Sequence, residues 1–269
     1  MTIKFGPAGM GPIKEVEETF ERYHKKGISA CEIPFTYAVY IKKIEDAIRV
    51  KRAAKKFGIK LTVHAPYWIN LNSEDEEKIE GSKKRILNSC RAAHWLGAKR
   101  VIFHPGFYGK DSKKEAFFQI KERIKELQKE IKKNKWDVKL APEIMGKINV
   151  FGSVDETKKL VEETGCDFCI DFAHILAREK KIDFEKLKQL FPQKKWHCHF
   201  SGIEHGKKGE KSHKKTSKKD LKELLKNLPK NKNITIINES PSPVEDSVLG
   251  LIIYQKSHSL YVTNIKLIF

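Results

Sequence analysis

The sequence contains no apolar run approaching the roughly 18 uninterrupted residues that a membrane span requires, and its start, MTIKFGPAGMG, lacks the longer apolar core of a secretory leader. A soluble, intracellular protein with no membrane partner is expected. Cysteine is scarce and odd in number. The five residues, at 31, 90, 166, 169 and 198, lie mostly inside apolar runs, where a thiol packs as a small hydrophobe, which argues against a disulfide framework. Cys166 and Cys169 form a CxxC within a predicted strand, with no second CxxC and no strand-to-helix redox setting, and read as packing. Acidic charge is also in deficit: 35 Asp and Glu face 54 Lys and Arg, a formal net charge of +19 over 269 residues. Such an imbalance favours an anionic partner, nucleic acid first, with a lysine-rich solvated surface as the alternative. Arginine supplies only eight of the 54 cations. Lysine meets phosphate as a point charge, whereas bidentate base reading favours Arg, so a bound DNA would be gripped by its backbone rather than read by its sequence.

Linkers, composition breaks and short repeats are missing too, which predicts one domain over 1–269. Strand-like runs near 2–5, 29–35, 59–64, 99–104, 138–143, 166–171, 195–200 and 233–239 alternate with amphipathic helical stretches such as IKEVEETFERYHKK, IEDAIRVKRAAKKF, EEKIEGSKKRILNSCRAAHWLG and EAFFQIKERIKELQKEIKK. Eight strand–helix alternations predict an α/β fold, a single (β/α)8 TIM barrel. Gly27, Gly58 and Gly97 each follow a helical pattern, as left-handed caps leading into the next strand. The last segment, 254–269, reads as β-like where a closing helix is expected.

Six of the apolar runs end alike: His64 in KLTVHAPY, His104 in KRVIFHPG, Glu143 in VKLAPEIMG, Asp171 in DFCIDFAH, His199 in WHCHFSG and Glu239 in ITIINESP. In a parallel barrel the carboxyl ends of all strands open onto one mouth, so these six side chains converge there. His174 lies just beyond strand six and His213 in a long loop after strand seven. Neutral imidazoles and ionised carboxylates in this number suit several divalent cations, Zn²⁺ by preference, with Mn²⁺ or Fe²⁺ as alternatives.

The ordered series HAPY, FHPG, PEIMG, IDFAH, HFSG, GEKSH and NESP, spanning about residues 3 to 245, resembles the endonuclease IV family of apurinic/apyrimidinic DNA endonucleases. The resemblance implies a zinc-dependent DNA-repair hydrolase that cuts duplex DNA 5′ to an abasic site with a metal-bridging hydroxide, leaving a 3′ hydroxyl. It implies that His64, His104 and Glu143 hold one metal, that Glu143 also bridges to a second held by Asp171, His199 and Glu239, and that His174 and His213 hold a third. Glu143 would position or deprotonate the water. The family's third-site motif has an Asp two residues before its His, where this chain has Lys211; a protonated lysine cannot ligate a metal. Glu210 is the nearest replacement, displaced by one residue of spacing, so two firm metals and a weaker third are expected.

For DNA binding, Tyr67 matches the family's minor-groove wedge, with barrel-mouth packing as the alternative. In IPFTYAVY (33–40), where the family often has a basic residue, Tyr37 and Tyr40 stand instead. Lys207, Lys208, Lys211, Lys214 and Lys215 flank His213 and would neutralise phosphates. A monomer is expected. The competing readings are a sugar isomerase or epimerase on the same kind of barrel, and a catalytically inactive DNA-binding barrel.

Overall fold

In the computed structural model, which describes residues 2–265 and side chains as far as 257, every one of the eight predicted runs contains a strand. These are β1 (Thr2–Pro7), β2 (Ala30–Pro34), β3 (Lys60–His64), β4 (Arg100–Phe103), β5 (Lys139–Pro142), β6 (Ile170–Asp171) and β7 (Lys195–Phe200), then, after the intervening β8 (Gly202–Gly206) and β9 (Gly209–Lys214), β10 (Asn233–Asn238). Two parallel half-sheets result, ordered β1-β10-β7-β6 and β2-β3-β4-β5. Single parallel bridges, Ala8 to Glu32 and Glu143 to Cys169, join them into a closed barrel. At the first seam the backbones approach so closely that a Cβ on Gly6 would lie 1.9 Å from the Ala30 carbonyl oxygen, so only glycine fits.

Helices α1 (Val16–Lys25), α2 (Ile44–Lys56), α3 (Glu76–Leu96), α4 (Lys113–Lys133), α5 (Val154–Thr164), α6 (Phe172–Glu179), α7 (Phe184–Leu190), α8 (Lys218–Asn227) and α9 (Pro243–Ile265) surround the strands. Their ends follow local chemistry. Ser112 with Glu115 and Ser153 with Glu156 form capping boxes at the starts of α4 and α5. Gly27, Gly58 and Gly97 take positive φ values of 78°, 68° and 74°, the left-handed caps expected of them.

Alternation along the strands divides labour. Ile33, Val63, Phe103, Leu140, Trp196 and Ile236 face the helices and form the apolar packing. The intervening residues turn into the barrel. The helix-facing core divides into two clusters, one under α1 to α4 and one around β1, β7 and β10.

Three expectations are corrected. The run at 166–171 is strand only over Ile170–Asp171, because pairing with β7 begins at Ile170, and Cys169 before it meets the end of β5 only through a single bridge to Glu143. The run ends as expected at Asp171, the N-cap of α6, whose Oδ1 accepts from the His174 amide at 2.7 Å. The long loop after strand seven is an antiparallel hairpin, β8 paired with β9. The segment 254–269 is helical through Ile265, and its last four residues lie outside the described ones. Helix α9 starts at Pro243 and packs Leu249, Leu251, Ile253 and Tyr254 on the core around β1 and β10, and this tertiary contact overrides the β-propensity of the short window. Among the described residues no helix is long and apolar enough to cross a membrane.

Candidate metal centre

The six strand-end residues meet at the mouth, and Glu143 lies at their centre, 1% exposed. Its two oxygens face different neighbours. Oε2 lies 3.0 Å from His64 Nε2 and 3.1 Å from His104 Nε2. Oε1 lies 3.2 Å from both His199 Nδ1 and His174 Nδ1. His199 Nδ1 is also 3.4 Å from Glu239 Oε2 and 3.9 Å from Asp171 Oδ2. Two ligand groups, His64–His104–Glu143 and Glu143–Asp171–His199–Glu239, therefore share one carboxylate.

A third group adjoins them: His174, Glu210 and His213. His174 Nε2 is 3.3 Å from Glu210 Oε2, and His213 Nε2 is 3.9 Å from Glu210 Oε1. In a regular strand, residues three apart point to opposite faces. Here the hairpin pairs Glu204 with Ser212 but His205 with Glu210, leaving Lys211 as the extra residue of a β-bulge. The bulge resets the alternation, so Glu210 and His213 both turn toward His174 while Lys211 points to solvent. The loop after β5 fixes the hairpin's height: the Glu210 amide donates to the Gly146 carbonyl at 3.2 Å, and the Ile148 amide to that of Lys208 at 3.3 Å. Gly209 makes this approach possible, with φ +93° and space for no Cβ, which would lie 2.1 Å from Gly146 O.

The histidines are aimed by their second nitrogens. His64 Nδ1 lies 2.7 Å from the Ala65 carbonyl and His174 Nδ1 3.0 Å from that of Ile144. His213 Nδ1 lies 2.6 Å from Ser201 Oγ. Each thereby leaves Nε2 for the ligand groups.

Charge in this pocket is tightly balanced. Burial would raise the Glu143 carboxyl, but His199 and the contacts from His104 and His174 hold it well below the usual range. Burial opposes charge on His174, yet Asp171 and Glu143 raise it to about 10. Asp171, raised by burial and by Glu143 and Glu239, reaches about 6. Burial likewise lowers His104.

Divalent cations fit this set on two observations. Asp171 Oδ2 is buried with no hydrogen-bond partner among the described residues. The ion-pair partners of Glu143, Asp171 and Glu239 found among those residues are histidines rather than Lys or Arg. Clustered buried carboxylates call for positive charge, and N/O donors in this number provide several sites for it.

The residues expected to meet DNA stand around the mouth. Tyr37 and Tyr67 are 74% and 52% exposed. Tyr40 is also exposed, at 43%, while one edge of its ring packs against Phe35, ring centroids 5.1 Å apart. Lys207, Lys208, Lys211, Lys214 and Lys215 are exposed on or beside the hairpin. Sequence reasoning missed Trp68 and Phe107, exposed rim residues beside Tyr67 and just past His104. Their signal was an aromatic directly following a ligand motif. It also missed Glu32 and His197, both fully buried one layer below the mouth. Their signal was a polar residue in mid-strand, in CEIP and KWHCHF. Cys169, read as packing, is buried as expected, but it also lies within 4.8 Å of a ring nitrogen of both His197 and His199.

Among relatives, an uncharacterized protein of Methanocaldococcus jannaschii is 37% identical over 225 residues, 78% of this chain and 80% of its own length. A probable endonuclease 4 of Mycobacterium ulcerans is 29% identical over 139 residues, 51% of this chain, and the match spans about half (53%) of that relative. Solved structures share the fold at low identity. SacUVDE has a TM-score of 0.72 at 15% identity, with 96% of this chain and 99% of that one covered. The D-psicose 3-epimerase of Clostridium cellulolyticum has 0.66 at 14%, covering 95% and 99%, and endonuclease IV of Thermus thermophilus 0.65 at 18%, covering 95% and 98%. Residues 20–249 match the family model described as xylose isomerase-like TIM barrel, and this chain, whose closed barrel gathers His, Asp and Glu side chains at one mouth, belongs to that family.

Proposed function

We propose that this protein is a divalent-cation-dependent endonuclease that hydrolyses the phosphodiester 5′ to abasic sites in duplex DNA, leaving a 3′ hydroxyl. The observation that carries the reading is the joining of three ligand groups into one cluster, through the two oxygens of Glu143 and the two nitrogens of His174. His64, His104 and Glu143 would hold one ion, Glu143, Asp171, His199 and Glu239 a second, and His174, Glu210 and His213 a third, with zinc the ion best matched to the donors. Such ions supply Lewis acidity toward a phosphate diester and lower the pKa of water toward neutrality.

The chain's own groups do the rest. Glu143, held ionised, orients the attacking water by accepting a hydrogen bond from it, and the proton the water gives up is the one the departing 3′ oxygen takes as the P–O3′ bond breaks. Lys207 and Lys208, at the tip of the hairpin, and Lys211 and Lys214, on β9, counter backbone charge on either side of the third group. Tyr67 and Trp68, with Tyr37 beside them on the neighbouring loop, where the Tyr67 amide donates to the Thr36 carbonyl at 3.0 Å, fill the gap left when an abasic nucleotide turns out of the stack. A sugar epimerase is the second reading, supported by the fold shared with the D-psicose enzyme. The third ligand group and the lysine-bearing hairpin favour the nuclease.

The deciding experiment offers the zinc-loaded protein a duplex with one abasic site and, separately, free ketohexoses. The reading expects a single nick that chelation abolishes and no ketose conversion. Ketose epimerisation with intact abasic duplex would replace it.

A further inference from the structure

One layer below the mouth, β2 places Glu32 inside the barrel, fully buried. Its Oε2 accepts from Thr62 Oγ1 at 2.8 Å and lies 2.9 Å from His197 Nε2. Its Oε1 lies 2.9 Å from His199 Nε2. Neither Glu32 Oε1 nor His199 Nε2 has another hydrogen-bond partner among the described residues, so their 2.9 Å contact is the polar approach the structure gives each of them. His199 thus stands between two acidic environments, Glu32 behind its Nε2 and the Glu143–Asp171–Glu239 group before its Nδ1.

We propose that Glu32 is a positioning residue for the cluster. By facing Nε2 it keeps the His199 proton on that nitrogen and turns the Nδ1 lone pair toward the carboxylates that would share the second ion. The proposal rests on the metal-dependent reading above. A carboxylate behind a ligating imidazole fixes tautomer and ring orientation and strengthens the ligand. Glu32 is suited to this because Thr62 and His197 hold its other oxygen, so the carboxylate cannot rotate away without stranding buried polar groups. The site also requires the nitrogens of His199 to be used differently from those of His64, His174 and His213, which turn Nε2 to the ligand groups.

The test is zinc affinity per site, by chelator competition, on wild type, Glu32→Ala, Glu32→Gln and Cys169→Ser. Zinc-loaded wild type should also show, by nitrogen-15 NMR, a His199 ring protonated at Nε2. Glu32→Ala should weaken one ion by about 10- to 100-fold and leave the others near their wild-type affinities. Glu32→Gln, which keeps one acceptor oxygen, should lose less. Metal-free melting temperatures separate this from a folding defect, because a purely structural role would weaken all ions together with stability. Unchanged affinity in both Glu32 variants, or a His199 proton on Nδ1, overturns the proposal while the metal-dependent reading stands. So does loss of a whole ion in Cys169→Ser, which would make the Cys169–His197–His199 layer a metal site itself. A wild type that binds no zinc overturns the metal-dependent reading, and the proposal with it.

Discussion

His174 links two ligand groups, and its charge state sets how they fill. Asp171 and Glu143 outweigh burial and raise it to about 10, while His64 and His199 are also raised, against burial, by carboxylate neighbours that include Glu143 and Glu32. His174 is thus protonated at neutral pH in the metal-free protein, and an incoming cation must displace its proton. Apparent zinc affinity should therefore climb as pH rises from 6 toward about 10, and fall further below 6 as Asp171 protonates. At pH 7.5, zinc uptake should release protons, seen as binding heats that scale with the ionisation enthalpy of the buffer. Heats independent of the buffer would show that these histidines are neutral before loading. The ligands at this scale were legible in the sequence because His64, His104, Glu143, Asp171, His199 and Glu239 each end an apolar run, and strand ends share one face of a parallel barrel. Glu32 and His197 were not: a polar residue in mid-strand marks each, but half of a strand's residues face the barrel interior, and that mark alone does not tell an inward Glu from one at a sheet edge.

The hairpin of β8 and β9 is the element whose form the sequence concealed. Its strands are short, rich in Gly, Lys and Glu, and carry none of the β-branched alternation that marks the barrel strands. Lys211 signalled a departure from the ligand spacing, yet only the pairing register reveals that a bulge absorbs it. Three variants follow from that geometry. Glu210→Ala should lower occupancy of one ion and leave two. Deleting Lys211 should remove the bulge while placing Glu210 two residues before His213, again on one face, so the third ion should be retained. Gly209→Ala should act like Glu210→Ala, since its Cβ would meet the Gly146 carbonyl and the backbone is at φ +93°. Elemental analysis after mild dialysis against chelator checks all three, and loss of the third ion in the Lys211 deletion would contradict the bulge argument. The C-terminal helix α9 was misread for a different reason: a window of Tyr, Val, Thr and Ile has β-propensity, and only packing of the helix's earlier turns against the barrel decides the matter.

Across the whole molecule, the excess of lysine gives a surface suited to phosphate without sequence reading. Binding to a duplex should weaken linearly with the logarithm of salt concentration, hardly vary with flanking sequence, and lose about two units of that slope when Lys207 and Lys208 become Ala. Filter binding across a salt series measures this, and an unchanged slope would remove the hairpin from the interface. Tyr67→Ala should reduce the preference for abasic over intact duplex more than it reduces intact-duplex affinity, by about 1–3 kcal/mol if its ring stacks on a base. Equal losses on the two duplexes would return Tyr67 to rim packing.

The central claim, that the shared carboxylate at the middle of the cluster drives phosphodiester hydrolysis, is tested most directly by Glu143→Gln. With zinc present and an end-labelled duplex carrying one abasic site, wild type should nick the strand 5′ to the lesion. The variant should bind the same duplex with little change and leave it uncut. Near-wild-type nicking by Glu143→Gln would contradict the account.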